Sequence, residues 1–356
     1  MTLTISLSTK LTKADFIFGE PVNLGPVVNS SFDIHGIYIT PDGLSLYFSS
    51  NRPGGSGGYD LWMTKRQSSQ AEWEQPANLG TVVNSKYDYW EPCLSPDGLS
   101  LYFNDGLGYS LIPGGYGHAD LYVSTRSTLS DSWDPPVNLG QPLNTSQGDA
   151  TAYITPDGLS LYFSSFRPGG SGWGDLWMIT RTDAESPWVS PVNLGGSVNT
   201  SNGEFSPELS TDGRILIFVR GGQNPSTWDL WYARRDSPDD DWSLAEKLPQ
   251  PVNTSLLEAW PSLSADGNTL YFCSDHSGGY GLGDIWQAPI IPIVDLNGDG
   301  IVDAADMCIV VENWGTDNQL CDVGPMPWGD GIVDVEDLIV LAEHLFEEFP
   351  PVESAE

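Results

Sequence analysis

The chain has 356 residues, with 48 Asp and Glu against 14 Lys and Arg, and a formal net charge of -34. That balance excludes nucleic acid and anionic membranes as partners, because phosphate contacts need Lys and Arg. No apolar run approaches the ~20 residues of a spanning helix, so membrane insertion is not expected, and 39 Gly and 27 Pro point to a chain rich in turns.

From residue 20 onward one pattern recurs five times. Its turn reads Pro41-Asp42-Gly43, Pro96-Asp97-Gly98, Pro156-Asp157-Gly158, Thr211-Asp212-Gly213 and Ala265-Asp266-Gly267, with successive Asp residues 55, 60, 55 and 54 positions apart. An alternating run follows each turn, such as Leu44-Ser45-Leu46-Tyr47-Phe48, then a Gly-rich turn and a second run, such as Asp60-Leu61-Trp62. Period-two aromatic and β-branched runs bounded by Gly, Pro, Asn and Asp predict antiparallel strands. Four short strands per unit at this period predict the blade of a propeller.

The ends predict how the ring closes. Units one to four run on through a Trp segment into the next Val-Asn-Leu-Gly-like segment, at residues 73–80, 133–140, 188–195 and 242–248. The fifth stops at Trp286-Gln287-Ala288, and residues 16–25 carry a Val22-Asn23-Leu24-Gly25 with no blade before it. The expectation is an all-β propeller over residues 1–290, five-bladed and closed by the N-terminal strand so that few edges stay open. A six-bladed ring, with residues 2–12 adding strands, is the second choice.

These units resemble the WD40-like PD40 repeats of TolB-type propellers. The Pro-Asp-Gly turn, the Leu-Tyr-Phe-Ser-Ser strand and the Gly-Gly-Tyr-Asp-Leu-Trp strand carry the resemblance over about residues 20–290. It implies a fold and little chemistry.

Repeated residues belong first to the scaffold, so candidate sites are rings at equivalent positions or departures from the repeat. Asp33, Asp88, Asp149, Glu204 and Glu258 come eight or nine residues before each Asp-Gly turn. By analogy with related propellers this is the channel mouth, where carboxylates either bond the neighbouring backbone or hold a cation or polar ligand. The second unit adds Tyr89, Trp90 and Glu91, the fourth Phe205 and the fifth Trp260. Aromatic faces beside carboxylates suit sugars. A five-residue insertion in the second unit, around residues 107–116, breaks the repeat next to His118.

Other signals carry no catalysis. Gly54-Gly55-Ser56-Gly57-Gly58 has the spelling of a nucleophile elbow, but no helix follows it. The four His residues share no metal spacing. Sequons at Asn29, Asn144, Asn199 and Asn253 recur with the repeat and read as turn-forming Asn. The Asp of each Asp-Leu-Trp reads as a brace for its own blade.

A second region begins after the proline-flanked spacer at residues 291–294. From 291 to 356 there are 16 Asp and Glu and no Lys or Arg. Asp295, Asn297, Asp299, Asp303 and Asp306 fall at positions 1, 3, 5, 9 and 12 of a loop, with Gly300 at 6 and the Ile301 carbonyl at 7. Hard cations such as Ca²⁺ take six to eight oxygens, and this spacing wraps them around one point. Met307, Val310, Val311 and Trp314 then follow helical spacing. A second copy keeps Asp330, Ile332, Asp334 and Asp337, while its first and third positions fall on Met326 and Trp328 and Asp322 is the acid within reach. Leu338, Leu341, Ala342 and Leu345 share one helical face.

Two loop–helix copies with Asp at position 12 resemble a type I dockerin over residues 295–348, with a disordered tail at 349–356. The resemblance implies Ca²⁺ as cofactor, a cohesin-like or other docking protein as partner, and polysaccharide breakdown in an extracellular or cell-surface setting. Positions 10 and 11, which carry specificity in the clostridial pattern, are Ala304 and Ala305, then Val335 and Glu336, without the hydroxyl pair. Cys308 and Cys321 are candidates for a disulfide, which would suit an oxidising compartment. Cys93 and Cys273 read as buried thiols. The first 25 residues lack the basic start and apolar core of a secretory signal.

The leading functional expectation is a non-catalytic binding or scaffold propeller, for a protein or glycan ligand, with a calcium-dependent docking module. The alternatives are a glycan-active hydrolase, with Asp88, Glu91, Asp149, Glu204 and Glu258 as candidate carboxylates, and a periplasmic TolB-like interaction protein.

Overall fold

The computed structural model describes residues 16–106, 112–318, 320–324 and 329–348. The chain divides into two compact units, Glu20–Pro289 and a smaller one formed by Met1–Gly19 with Ile290–Glu356. The first unit is a five-bladed propeller; the six-bladed choice is set aside.

Four blades are four-stranded antiparallel sheets, and the sheet of the fifth blade carries Phe16–Phe18 as an additional, fifth strand. The innermost strands are Ile34–Ile39, Tyr89–Leu94, Asp149–Ile154, Gly203–Leu209 and Glu258–Leu263. Each touches the next and the fifth touches the first, so they wall a closed channel. The second strands, among them Ser45–Ser50 and Ser160–Ser165, bury Leu, Tyr and Phe between blades: Leu46, Phe48, Leu161 and Phe163 are fully enclosed.

Local chemistry explains the repeat. In the first turn Asp42 accepts from the Thr40 hydroxyl at 2.6 Å and from Leu44 N–H at 2.9 Å, while Gly43 takes a φ of 67° that favours glycine. The same Asp bonding recurs at Asp97, Asp157, Asp212 and Asp266. At the outer edge the Arg126 guanidinium lies 4.2 Å over Trp133 and donates to Gly98 O at 2.9 Å. Arg66, Arg181 and Arg235 do likewise over Trp73, Trp188 and Trp242. Each recurring Trp thus meets an Arg of its own blade.

The sequon Asn residues are internal braces. Asn144 Oδ1 accepts from Leu121 N–H at 2.8 Å, and its Nδ2 donates to Leu121 O at 2.9 Å. Asn29, Asn144, Asn199 and Asn253 are 1%, 0%, 2% and 4% exposed, which leaves no room for a glycan. Asp60, heading its Asp-Leu-Trp strand, accepts from Asn78 at 3.1 Å within the same blade.

Closure follows the sequence reading. Val22 and Asn23 pair with Gln287 and Trp286 as the fourth strand of the fifth blade. Asn29 Oδ1 accepts from Ile285 N–H at 2.9 Å, and Asn23 donates to Asp284 at 3.1 Å. In the smaller unit, Phe16–Phe18 pairs with Ile290, Ile291 and Pro292. The spacer expected at 291–294 therefore begins as strand.

The smaller unit packs two helices, α1 (Ala304–Glu312) and α2 (Val335–Glu343), around Val294, Val302, Val310, Val323, Val333 and Leu341. Asp303 and Asp334 cap them in capping boxes closed by Asp306 and Asp337. Asp295 accepts from Gly298, Asp299 and Gly300 N–H at 2.9, 3.1 and 2.8 Å. Asp322 accepts from Asp330 and Gly331 N–H at 2.9 and 2.8 Å, and so holds the place of Asp295 across a longer loop. Met326, Trp328, residues 107–111 of the insertion, residues 2–12 and the tail at 349–356 lie outside the described residues.

The disulfide considered at Cys308 and Cys321 is not formed. Both are free thiols: Cys308 is exposed, and Cys321 is turned into the small core. Cys93 and Cys273 are free and buried.

Candidate functional site

All five innermost strands carry a bulge at the same level, marked by a shift in pairing register. The residue at each bulge is left-handed: Gly36 at φ 49°, Glu91 at 56°, Thr151 at 55°, Ser206 at 50° and Trp260 at 51°. Four of the five are not glycine, and strain of this kind, about 1–3 kcal/mol each, persists where the surroundings over-determine it. The bulges turn these side chains into the channel, around a cavity of about 30 Å³, which is room for a water or two.

Glu91 is the chemical centre of this ring. Its Oε1 accepts from the Trp260 indole N–H at 2.7 Å, and its Oε2 is enclosed without a partner among the described residues. Burial lifts its carboxyl to about 7, against the pull of the Trp260 N–H and the Thr151 backbone. Gly36 makes the approach possible, since a Cβ there would stand 2.4 Å from Glu91 Cα.

Aromatic rings cover Glu91. His35 lies 4.5 Å from Trp260, 4.7 Å from Trp90 and 5.1 Å from Tyr59. The arc continues from Trp260 to Trp228, Phe205, Trp173 and Phe166 at spacings of 6.3, 5.4, 5.0 and 5.7 Å. Burial depresses His35 to about 4, so it is neutral at pH 7. His35 Nδ1, Trp90 Nε1, Trp173 Nε1 and Ser206 Oγ are buried without partners among the described residues. Such groups are rare in folded proteins, and their gathering at one mouth marks a place built for polar contacts.

The carboxylate ring divides. Asp149 accepts from Thr145 and Ser165 and pairs with Arg167 at 2.7 Å. Glu204 accepts from Thr200 and pairs with Arg220 at 2.9 Å. Glu258 accepts from Thr254 and Ser274. These three are fully buried and tie the loop before each blade to the blade itself. Asp33 and Asp88 differ: both are half-buried and share Tyr59, whose hydroxyl donates to Asp33 at 3.0 Å and whose N–H donates to Asp88 at 2.9 Å. Tyr89 lies inside its blade, with its ring 5.6 Å from Phe103.

Sequence reasoning passed over Glu208. It stands four residues before the turn Asp, where the other blades have Tyr38, Cys93, Tyr153 and Ser262. A charged residue in that register is the signal that was there to find. Its Oε1 accepts from Leu263 N–H at 2.9 Å, and burial pushes its carboxyl to about 8. His35, Tyr59, Trp173 and Phe166 were passed over too, because single aromatics in a propeller read as packing.

In the smaller unit the expected loop donors are bonded to amides. Asp306 accepts from Leu296, Asn297 and Asp303 N–H at 2.8, 3.0 and 2.9 Å, and Asp337 from Val323, Gly324 and Asp334 N–H. Among the described residues, no three acidic, His or Cys side chains converge as a metal-holding group. The donor set is nonetheless all hard oxygen, the chemistry Ca²⁺ takes.

The fold and its channel define a five-bladed β-propeller. Bacillus subtilis arabinanase is similar over 75% of this chain and 97% of its own, at 14% identity and a TM-score of 0.51. Xylan β-1,4-xylosidase from Bacillus halodurans C-125 is similar over 75% and 54%, at 19% identity and a TM-score of 0.50. TolB from Acinetobacter baumannii is similar over 72% and 54%, at 17% identity and a TM-score of 0.44, so this chain spans about half of that one. No family model and no curated protein matches the chain. Likeness at these identities carries the fold alone. The neighbours named above at a TM-score of 0.50 or more are an arabinanase and a xylosidase, and the non-catalytic scaffold expected first is not carried forward.

Proposed function

We propose that the propeller is a glycan-active hydrolase working at the mouth that Glu91 serves. The observation that carries this is a buried carboxyl, Glu91, lifted to about 7 by its burial and held in a strained bulge beneath an aromatic arc, with polar groups unpartnered among the described residues around it. A general acid must hold its proton near working pH, and burial supplies that here. Glu91 donates its proton to the glycosidic oxygen as the bond to the sugar carbon breaks. Asp33 and Asp88, at the half-open rim, supply the second carboxyl group, which attacks that carbon or activates a water against it. The cavity, about 30 Å³, is far too small for a sugar ring, so the ring is placed against the aromatic rim with the scissile oxygen directed toward Glu91. The similarity to an arabinanase and a xylosidase suggests where to start. Arabinan, xylan and their aryl glycosides are the first panel, read by reducing-sugar release. Hydrolysis of one of them, lost in Glu91→Gln with the fold intact by circular dichroism, supports the reading; no turnover across a broad glycan panel would sink it.

For the smaller unit we infer a calcium-dependent, dockerin-like docking module acting outside the cell. The support is the hard-oxygen donor set and the internal repeat in which Asp322 answers Asp295. Asp295, Asn297, Asp299, Asp303, Asp306 and the Ile301 carbonyl would hold one ion. Asp322, Asp330, Asp334, Asp337 and the Ile332 carbonyl would hold a second. Bound calcium supplies charge neutralisation and rigidity to loops otherwise held by amides, and the partner is a cohesin-like protein. Pull-down of a cohesin panel with and without EDTA tests it, and binding indifferent to EDTA would count against it.

A further inference from the structure

Toward the Pro-Asp-Gly turns the channel opens into a second cavity of about 180 Å³, which shares Tyr38, Tyr153 and Glu208 with the small cavity beside Glu91. Pro41, Pro96 and Pro156 form its collar, and Tyr38, Tyr153 and Glu208 form its floor. Glu208 is 7% exposed, and among the described residues its Oε1 accepts from Leu263 N–H at 2.9 Å and from the Ser262 hydroxyl at 3.4 Å, with no bond to its Oε2. The Tyr153 hydroxyl donates to Leu209 O at 3.1 Å. A single buried carboxyl, two tyrosines and an apolar collar are an unusual combination at the foot of a closed channel, and nothing in the hydrolase reading uses them.

We propose that this cavity binds a small organic ammonium ion, with its charged head on Glu208 and its alkyl part between Tyr38, Tyr153 and the prolines. The class follows by elimination. A bare metal ion needs six to eight oxygens, and this floor offers one carboxylate. A sugar needs several acceptors and more room. An ammonium head wants one anion and aromatic faces, and its alkyl groups want an apolar collar. The net charge of -34 raises the local concentration of any cation. Burial holds the Glu208 carboxyl at about 8, so the empty site carries its proton at pH 7, and the cation displaces that proton into solvent. The titratable groups around Glu208 are Tyr38, Cys93 and Tyr153, all pushed up by burial and neutral at that pH.

The experiment is calorimetric titration of the full chain with n-butylammonium chloride, against sodium chloride at equal ionic strength. Expected are saturable binding at pH 7 and heats that track the ionisation enthalpy of the buffer. Glu208→Gln weakens binding by about tenfold or more, roughly 1.4 kcal/mol, and abolishes the buffer dependence. Should Glu208→Gln fail to fold, Tyr38→Leu carries the test through the lost aromatic face, with weaker binding expected. A neutral peptide bearing one Lys, in place of the free amine, shows whether a protein side chain delivers the same head, and tighter binding of either names the source. No saturable binding of either probe, or Glu208→Gln binding as well as wild type, overturns the proposal. Hydrolysis lost in Glu91→Gln with butylammonium binding retained separates this proposal from the hydrolase reading, since the two carboxyls line one small cavity but serve different ligands.

Discussion

The indole N–H of Trp260 donates to Glu91 Oε1 at 2.7 Å, reaching from the fifth blade to the second past the first. The first blade lets this bond form by contributing Gly36, the one bulge residue with no side chain. One hydrogen bond therefore ties three blades to the state of a single carboxyl.

Glu91→Gln keeps the shape and removes the exchangeable proton. Turnover is expected to fall by about two to four orders of magnitude, the usual share of general acid catalysis. In wild type, kcat/KM falls as pH rises through about 7, where Glu91 ionises. Trp260→Phe removes the bond that favours the anion, so that limb should move to higher pH. A limb that stays in place after Trp260→Phe would separate Glu91 from the proton transfer.

Stability should follow the same carboxyls. Glu91 and Glu208 have folded values of about 7 and about 8, above their ordinary 4.5. The folded state then binds more protons than the unfolded state between those limits, so stability is fully present below about 4.5 and is lost as pH rises to about 8. Thermal melts from pH 4.5 to 9 should show Tm declining, and the double variant Glu91→Gln, Glu208→Gln should flatten the slope. An unchanged slope would place the titration elsewhere.

Gly36→Ala tests the approach of the first blade to the second. Its Cβ would meet Glu91 Cα at 2.4 Å, in a backbone region that costs a non-glycine residue about 1–2 kcal/mol. A loss of about 2 kcal/mol or more is expected in urea unfolding, with hydrolysis reduced although no charged group has changed. The matching change Gly25→Ala has open space around it and bears only the backbone cost.

Asn29→Ala should loosen the closure of the ring. The side chain holds Ile285 N–H and C=O at 2.9 and 3.0 Å, and removing it strands both, at about 1–3 kcal/mol. Hydrogen exchange should quicken along Asp284–Pro292. Asn199→Ala removes the same bonds at Leu176 inside the ring and should leave that strand protected.

Titration of the full chain with Ca²⁺ should reveal a site lost in Asp295→Ala, and Asp322→Ala should remove a second, weaker one. Asp322→Ala without effect on the stoichiometry would restrict calcium to the first loop.

The propeller was legible because its signals are local and repeated. Asp42 and its four counterparts bond within their own turns, so each copy states the same rule. The closing strand was legible because Val22-Asn23 lacks a blade of its own. The channel floor was harder to see. Glu91 was marked by its aromatic neighbours, but Glu208 falls in a register that other blades fill with Tyr, Cys and Ser, and only the bulges bring that register to the channel. The carboxylate ring looked uniform in sequence, yet Arg167 and Arg220 occupy two of its members while Asp33 and Asp88 remain at the rim. Those partners lie 16 or 18 residues away, beyond what spacing around the turn displays. In the second loop Asp322 was already legible as the acid within reach, and it bonds Asp330 and Gly331 N–H across the longer segment.

The pairing of Val22 with Gln287 also sets an order on biosynthesis. The first strand of the propeller to leave the ribosome is the last to find its place, since its partner is translated 265 residues later. At roughly 5–20 residues per second, the nascent chain carries that unpaired segment for tens of seconds while the first four blades assemble. The chain around Val22, with Glu20 before it and an Asn–Gly-punctuated turn after it, must stay soluble alone for that time. A charged, turn-rich lead segment of only two pairing residues suits that wait.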